Sequence, residues 1–221
     1  NNQPVGTYLG LTFGGGGHSR ELLKHLSKKG KLFAFDQDDD AFKNNINDKR
    51  FTLIRSNFRF FRNFLKYYRV KEVHGILADL GVSSHHFDSP ERGFSTRFNG
   101  ALDMCINRVA KVSAKVIING YEKQKLFKIF SLYGELPNAN RVAGLICAAR
   151  DQKPIKTSEE LTGIVGKAFP NQAMNKMLAK VFQAVRIEVN HEMEALNQML
   201  FQTEKELATN GRLVVISYHS L

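Results

Sequence analysis

Four consecutive glycines, Gly14 to Gly17, stand between a short apolar run and a helical pattern. The run is TYLGLT (residues 7–12), and the residues after His18 repeat leucines at the spacing of one helix face. A strand, a tight glycine loop and a helix in this order let the backbone approach a ligand closely, and the helix N-terminus presents unpaired N–H groups there. The pattern predicts the first unit of an α/β fold, although a plain tight turn would also use glycine.

Further strands follow in the order that a parallel sheet requires. They are predicted at residues 31–35 (KLFAF), 51–54 (FTLI), 74–80 (HGILADL) and 212–217 (RLVVIS). Helical stretches separate the first three strands, which gives a βαβαβ unit. This part of the chain is therefore predicted to form a doubly wound α/β sheet.

About 130 residues separate the fourth and fifth predicted strands, and they contain helical patterns only. The helices are predicted at residues 111–133, 139–152, 158–168 and 175–208, the last of them broken. A crossover between parallel strands needs about a dozen residues. The excess predicts an inserted helical domain at residues 104–189, with the sheet domain formed by residues 1–103 and 190–221.

The charge of the chain indicates a polyanionic partner. The formal net charge is +11, and residues 104–190 hold 14 Lys+Arg against 6 Asp+Glu. No apolar run approaches the roughly 20 residues that cross a bilayer, and the N-terminus lacks the pattern of a signal peptide, so a soluble cytoplasmic protein is expected. Cys105 and Cys147 lie in no metal-ligand spacing and are expected to be reduced.

Asp36 indicates what the glycine loop binds. It ends the second strand twenty residues after Gly16, where an acidic side chain accepts hydrogen bonds from the ribose of adenosine-containing cofactors. A solvated loop start is the structural alternative. His18 and Ser19 occupy the place of the third glycine of the G-x-G-x-x-G pattern, but these residues alone do not separate S-adenosylmethionine from NAD.

Asp79 follows the same logic at the end of the fourth strand. In an open α/β sheet, ligands bind in the crevice beyond the carboxyl ends of the strands. The position places this carboxylate beside the cofactor, whereas an isolated Asp here would serve as a helix cap or turn residue.

Several motifs resemble the RsmH/MraW family of bacterial methyltransferases. They are FGGGGHS (13–19), DLGVSS (79–84), ERGFS (91–95), LDM (102–104), YGE (133–135), KPI (153–155), FQAVRIEVN (182–190) and ISYHSL (216–221). The resemblance runs over nearly the whole chain. It implies a class I, Rossmann-like S-adenosylmethionine-dependent methyltransferase sheet with an inserted helical domain that recognises substrate. The implied activity is N4-methylation of a cytidine in the decoding region of 16S ribosomal RNA, within the small ribosomal subunit.

The resemblance also implies site residues. Its cofactor contacts fall on Gly16, Gly17, His18, Asp36, Phe58, Asp79 and, where the family usually has Gln, His86. For the reaction, acceptors such as Asp79 or the hydroxyls of Ser83 and Ser84 are expected to bind the target amine, without a dedicated base. No metal is expected, because the acidic run at residues 36–40 lacks the ligand spacing of a calcium loop and is interpreted as a solvated helix start.

Three positions depart from the family pattern. Gly10 stands where the first strand usually ends in Asp, Cys105 where Arg usually follows Leu-Asp-Met, and His86 where Gln is usual. The N-terminal His-x-Pro-Val motif is absent, and relatives continue past Leu221, so the methyltransferase domain is expected to be incomplete at both ends.

Two alternatives follow from these departures and from the cofactor pattern. One is a weakened or non-catalytic relative that binds the ribosome, and the other is a different nucleotide-cofactor enzyme such as an NAD-dependent oxidoreductase. The oligomeric state is open, with a homodimer as one alternative.

Overall fold

The computed structural model describes residues 4–82 and 87–217. Five strands form one parallel sheet in the order β3-β2-β1-β4-β5. They are β1 (Thr7–Gly10), β2 (Lys31–Asp36), β3 (Phe51–Arg55), β4 (Val73–Leu80) and β5 (Leu207–Ser217). The predicted α/β sheet is confirmed. The strand order reverses between β1 and β4, which is the point where open α/β sheets bind ligands.

Eight α-helices lie in the described residues. They are α1 (Gly17–His25), α2 (Phe61–Tyr67), α3 (Ala114–Gly120), α4 (Lys123–Leu132), α5 (Ala139–Arg150), α6 (Ser158–Val165), α7 (Met174–Val189) and α8 (Glu192–Glu206). Short 3₁₀ helices occupy Asp39–Asn44, Phe58–Phe60, Pro90–Arg92, Gly166–Ala168 and Asn171–Ala173. None of these described helices is both long and apolar enough to cross a membrane.

The chain divides into two compact units. The sheet unit comprises the described parts of residues 1–81 and 193–220, and the helical unit comprises the described parts of residues 82–192. Residues 82 and 87–103, which the sequence pattern assigned to the sheet domain, cluster with the helical unit. Phe94 and Leu102 are buried in the core of that unit, and the sequence pattern carried no periodicity that would reveal this.

The two faces of the sheet bury separate apolar clusters. On one face, Phe35, Ile76 and other strand residues pack against Phe61 of α2 and Met199 of α8. On the other face, Leu32 packs with the residues of α1 and the glycine-loop flank. Strand β2 is a continuous buried apolar run because both of its faces are covered, whereas β5 has no fully buried residue.

The helical unit has one core, to which α3, α4, α5, α6 and α7 all contribute. The expected break in the last helical pattern is confirmed. Asn190 ends α7, its side chain bonds the carbonyl oxygens of Met104 and Arg186, and His191 has φ 51°. Such a residue in the left-handed region stops a helix.

Candidate active site

The glycine loop joins β1 to α1 at the carboxyl edge of the sheet, where the strands end. Gly14 and Gly16 have φ of 51° and 79°, the left-handed region that strains any side chain. A Cβ on Gly16 would also lie 2.8 Å from the Phe13 ring, so glycine is required there. A Cβ on Gly15 or Gly17 would meet nothing within 4 Å. The space beside these two glycines is therefore open.

Helix α1 begins directly after this loop. Gly16 is its N-cap and accepts the first helical hydrogen bond, from the Arg20 N–H at 2.9 Å, while no side chain caps the helix. The first N–H groups of the helix therefore lack side-chain partners from the cap, and a negative group is favourable near them.

Asp36 closes the loop from the neighbouring strand. One carboxylate oxygen accepts a hydrogen bond from the Gly14 N–H at 2.8 Å, and the other accepts one from the Asp38 N–H at 2.9 Å. Asp36 thus fixes the glycine loop against the end of β2.

Asp79 lies near the end of β4, beside β1. Its N–H donates to the hydroxyl of Thr12 at 2.9 Å, which ties the end of β4 to the segment after β1. Its carboxylate oxygen Oδ2 lies 3.5 Å from Nε2 of His18, and both side chains are partly exposed. The structure thus brings together two residues that the sequence placed in the cofactor site.

Phe58 follows β3 at the same edge. It is half-buried and packs against the core on the α2 face of the sheet. The loop before it is fixed, because Asn57 accepts from the Arg59 N–H at 2.9 Å and donates to the side chain of Gln37 at 3.1 Å. The ring therefore lies in an ordered turn near the end of β2.

The acidic run after β2 has a local explanation. Beyond Asp36, Asp38 caps the 3₁₀ helix through the Asp40 N–H, Asp39 pairs with Arg55 at 2.9 Å, and Asp40 pairs with Lys43 at 2.6 Å. In the described part of the chain, no group of three or more His, Cys, Asp or Glu side chains could hold a metal ion.

Gly10 departs from the Asp that is usual in the family, and the backbone at this position does not require glycine. Its φ is not positive, and a Cβ there would lie 3.6 Å from the Ser19 hydroxyl and 3.8 Å from Cβ of Ala34, which are ordinary contacts. A Cβ would therefore fit at the end of β1, so neither backbone strain nor crowding at Cβ accounts for glycine.

Cys105 is a departure of a different kind. Its thiol is buried, 3.3 Å from the carbonyl oxygen of Val112. Burial, with a smaller contribution from Asp103, raises the pKa of this thiol to about 12. Arg92, itself buried, donates to the Cys105 carbonyl at 2.9 Å. The thiol is therefore an inert packing group at neutral pH.

Three sequence-predicted site residues, Ser83, Ser84 and His86, lie outside the described residues. The others, from Gly16 to Asp79, lie at the carboxyl edge of the sheet unit.

Sequence reasoning missed Thr12 and the pair Gln37–Asn57. All three act through hydrogen bonds that stabilise the loops between strand ends and the elements that follow. Thr12 lies two residues past the end of β1. Polar residues in the loops after strands are candidates for such contacts, but the sequence does not show which partners they meet.

Comparison with known proteins gives a consistent result. The family described as the MraW methylase family matches residues 1–221. A protein of Bacteroides thetaiotaomicron named "Ribosomal RNA small subunit methyltransferase H" is 54% identical over 221 residues, which are 100% of this chain and 73% of that protein. Proteins of the same name from Flavobacterium johnsoniae and Parabacteroides distasonis are 52% and 51% identical over 219 and 220 residues, 99% of this chain and 72% of each relative.

A family match over the whole chain, together with relatives above 50% identity, agrees with a glycine loop, Asp36 and Asp79 gathered at one sheet edge. This chain belongs to the MraW methylase family.

Proposed function

We propose that this chain transfers a methyl group from S-adenosylmethionine to N4 of a cytidine in the decoding region of 16S ribosomal RNA. The names of its relatives support small-subunit ribosomal RNA as the substrate. The resemblance of its motifs to the RsmH/MraW family supports the N4 position. The observation that carries the proposal is the gathering of the glycine loop, Asp36 and Asp79 at the point where strand order reverses.

The residues at this edge fit S-adenosylmethionine. The Asp36 carboxylate lies at the end of β2 beside the glycine loop, where an acidic side chain can bind the ribose hydroxyls of an adenosine-containing cofactor. The open space beside Gly15 and Gly17 admits a ligand against the backbone, and the uncapped start of α1 suits the carboxylate of an amino acid. Phe58 offers an apolar ring for the adenine.

The chemistry requires alignment more than acid or base catalysis. The bound cofactor supplies an electrophilic methyl group on a sulfonium. The N4 lone pair forms the new carbon–nitrogen bond while the methyl–sulfur bond breaks with its electron pair remaining on sulfur. The surplus amine proton then passes to water, because a protonated N4 is acidic. The protein's main task is to hold nitrogen, carbon and sulfur in line in a site without water.

Asp79 is proposed to position the target amine. Its carboxylate can accept an N4–H hydrogen bond, which localises the nitrogen lone pair that is otherwise delocalised into the ring. The Thr12 hydroxyl fixes the backbone of Asp79, and His18 lies beside its carboxylate. The hydroxyls of Ser83 and Ser84 remain further proposed acceptors. The target base must leave its stack to reach these groups.

The helical unit is proposed to recognise the RNA. Residues 104–190 hold most of the excess positive charge of the chain, and contacts with phosphates supply much of the affinity for RNA. Gly10, Cys105 and His86 make a weakened enzyme the second candidate, since the absent carboxylate at residue 10 would help to hold the charged methionine end of the cofactor.

The deciding experiment incubates the chain with labelled S-adenosylmethionine and small subunits that lack the modification. We expect methyl transfer to one cytidine, located by mass spectrometry of RNA fragments, and a loss of at least tenfold in rate for Asp79→Ala. Asp39→Ala, which changes the same charge in the exposed acidic run, serves as the control. If the unaltered chain binds S-adenosylmethionine but transfers no methyl group, the non-catalytic relative is favoured. If it neither binds S-adenosylmethionine nor transfers a methyl group, an enzyme with a different cofactor is favoured.

A further inference from the structure

A basic groove of about 300 Å³ lies at the amino edge of the sheet, at the opposite end of the strands from the glycine loop. The segments that lead into β2 and β4 supply its charged lining. Lys29 comes from the connection after α1 and Lys31 is the first residue of β2, while Arg69 and Lys71 come from the connection after α2. We call this feature the amino-edge groove.

The four cations of the amino-edge groove are not neutralised by neighbours. Within residues 4–82 and 87–217, none of them forms an ion pair, and neither does Glu72, the acidic residue of the lining. Elsewhere in the sheet unit, Lys24 lies 2.8 Å from Glu21 and Lys43 lies 2.6 Å from Asp40. The unpaired cations therefore give the groove a local positive potential.

Arg69 occupies a backbone conformation that favours glycine. Its φ is 54°, its N–H bonds the Lys66 carbonyl at 3.1 Å, and the next N–H, of Val70, bonds the Leu65 carbonyl at 2.9 Å. This pair of bonds is the Schellman ending of α2, in which the left-handed position is usually glycine. An arginine in this conformation strains the backbone. Strained residues of this kind are often functional, so the position suggests that the Arg69 side chain has a role in binding.

Exposed aromatic rings adjoin the cations. Tyr68 lines the groove and lies 5.1 Å from the buried ring of Phe33, while Tyr67, 78% exposed, lies 5.0 Å from Tyr68 at right angles to it. The two tyrosines thus extend from the core to the surface. Cations interleaved with exposed rings are typical of surfaces that bind single-stranded nucleic acid, where phosphates meet the cations and bases stack on the rings.

His74 adds a hydrogen-bond donor to the same lining. Its Nδ1 accepts from the Thr7 N–H at 3.2 Å, so the neutral ring carries its proton on Nε2. Donors of this kind suit phosphate oxygens.

We infer that the amino-edge groove binds a single-stranded segment of the substrate RNA, with its phosphates on Arg69, Lys71 and Lys29 and a base stacked on Tyr67. The inference rests on the proposed function for the identity of the polyanion as RNA. Because the groove and the reacting carboxyl edge lie at opposite ends of the strands, the bound segment is a part of the RNA other than the target cytidine. The groove is therefore an anchoring surface.

The test measures equilibrium binding of the chain to protein-free small-subunit RNA across a range of KCl concentrations. Arg69→Gly combined with Lys71→Gln removes two unpaired cations, and Lys24→Gln combined with Lys43→Gln removes two paired ones as a matched control. We expect the groove variant to bind on the order of tenfold more weakly. The slope of log affinity against log salt concentration should fall by about 1.5, because each of the two lost phosphate contacts contributes roughly 0.7 to 0.9. Tyr67→Ala should weaken binding by about tenfold with the slope unchanged.

Thermal unfolding separates binding from folding. Arg69→Gly relieves a strained position, so we expect its Tm to be equal to or above that of the unaltered chain. If its Tm falls instead, Arg69 has a structural role, and Lys29→Gln with Lys71→Gln then answers the binding question with Arg69 in place.

The outcomes distinguish this inference from the proposed function. If the unaltered chain transfers methyl groups while the groove variants bind RNA as the control does, the groove inference is overturned and the methyltransferase stands. If the groove variants bind weakly while the unaltered chain transfers no methyl group, the groove is supported and the proposed reaction is contradicted.

Discussion

Gly10 is a single residue on which the strength of the proposed enzyme depends. It ends β1 beside the glycine loop, and the structure leaves room for a Cβ between the Ser19 hydroxyl and Ala34. A carboxylate here would form a charge-assisted hydrogen bond to the amine of the cofactor, which is worth about 1.5 to 3 kcal/mol.

Gly10→Asp should therefore increase affinity for S-adenosylmethionine by about tenfold to a hundredfold, measured by calorimetry. Gly10→Asn is the matched control, because it has the same shape without the charge. If Gly10→Asp and Gly10→Asn bind no better than the unaltered chain, other groups already hold the amine and the weakened-enzyme alternative loses its basis. Cys105→Arg is a poorer test, since it would place a second guanidinium in a buried site next to Arg92.

Asp36 yields a second prediction at this scale. Asp36→Ala removes the acceptor of the ribose hydroxyls and the partner of the Gly14 N–H, so affinity for S-adenosylmethionine should fall by about 1 to 3 kcal/mol. Calorimetry measures this, with Asp39→Ala as a variant of equal charge in the same run. Equal affinities of the two variants would remove Asp36 from the cofactor site.

The residues of the site differed in how far the sequence could predict them. Asp36 and Asp79 could be predicted because Asp36 ends β2 and Asp79 lies one residue before the end of β4, and strand ends in a parallel sheet meet at one edge. Thr12 could not, because its role is a hydrogen bond to the backbone of a strand 67 positions away along the chain. Such a contact depends on how two strands are paired, which no local pattern encodes.

Secondary-structure elements were predicted best where a cap or an apolar stripe marks them. Helix α6 begins as expected at Ser158, after a capping box between Thr157 and Glu160. β5 was predicted from residue 212 but begins at Leu207, because its first residues pair with β4 through an irregularity and include Asn210 at φ 65°. Polar residues of this kind resemble a turn in sequence.

The turn that leads into β3 contains an ion pair between Asp48 and Arg50, which predicts that the stability of the protein depends on pH. Arg50 donates to Asp48 at 2.7 Å and to the Leu26 carbonyl at the end of α1. The hydrogen bond from Arg50 lowers the pKa of Asp48 from 3.8 to about 2. A lowered pKa in the folded state contributes stability that is present above about pH 4 and is lost as the pH falls toward 2.

Asp48→Asn should therefore cost about 1 kcal/mol of unfolding free energy at pH 7, within the range for partly exposed ion pairs, and only a small part of that near pH 2. Urea unfolding at the two pH values measures the difference. Asp151→Asn, an exposed aspartate without an ion pair among the described residues, is the control. If the difference in unfolding free energy between Asp48→Asn and the unaltered chain is the same at both pH values, the Asp48 charge is not linked to folding.

At the scale of the whole molecule, charge predicts how RNA binding responds to salt. Lys115, Lys123 and Lys128 are exposed on α3 and α4 and form no ion pair among the described residues. Replacing all three by Gln should reduce the salt slope of RNA binding by about one unit per lost phosphate contact. Lys153→Gln, at a lysine 3.2 Å from Glu160, is a control in the same unit. If the salt slope is unchanged, these three lysines of the helical unit do not contact RNA phosphates.

Counting charges along the chain found the helical unit and missed the amino-edge groove. Lys29 and Lys71 are 42 positions apart in sequence and come together only because parallel strands begin at a common edge. The overall fold was predictable from strand and helix patterns, whereas this surface depends on which loops become neighbours.

The pairing of β4 with β5 determines the order in which the protein can fold during its synthesis. Gly75 lies opposite Arg212, and the entire helical unit is encoded between them. A ribosome adds about 130 residues between the end of β4 and the start of β5, which takes on the order of ten seconds. Through that interval β4 has an unpaired edge that any other extended chain could join. This edge of β4 therefore stays open until β5 has been synthesised.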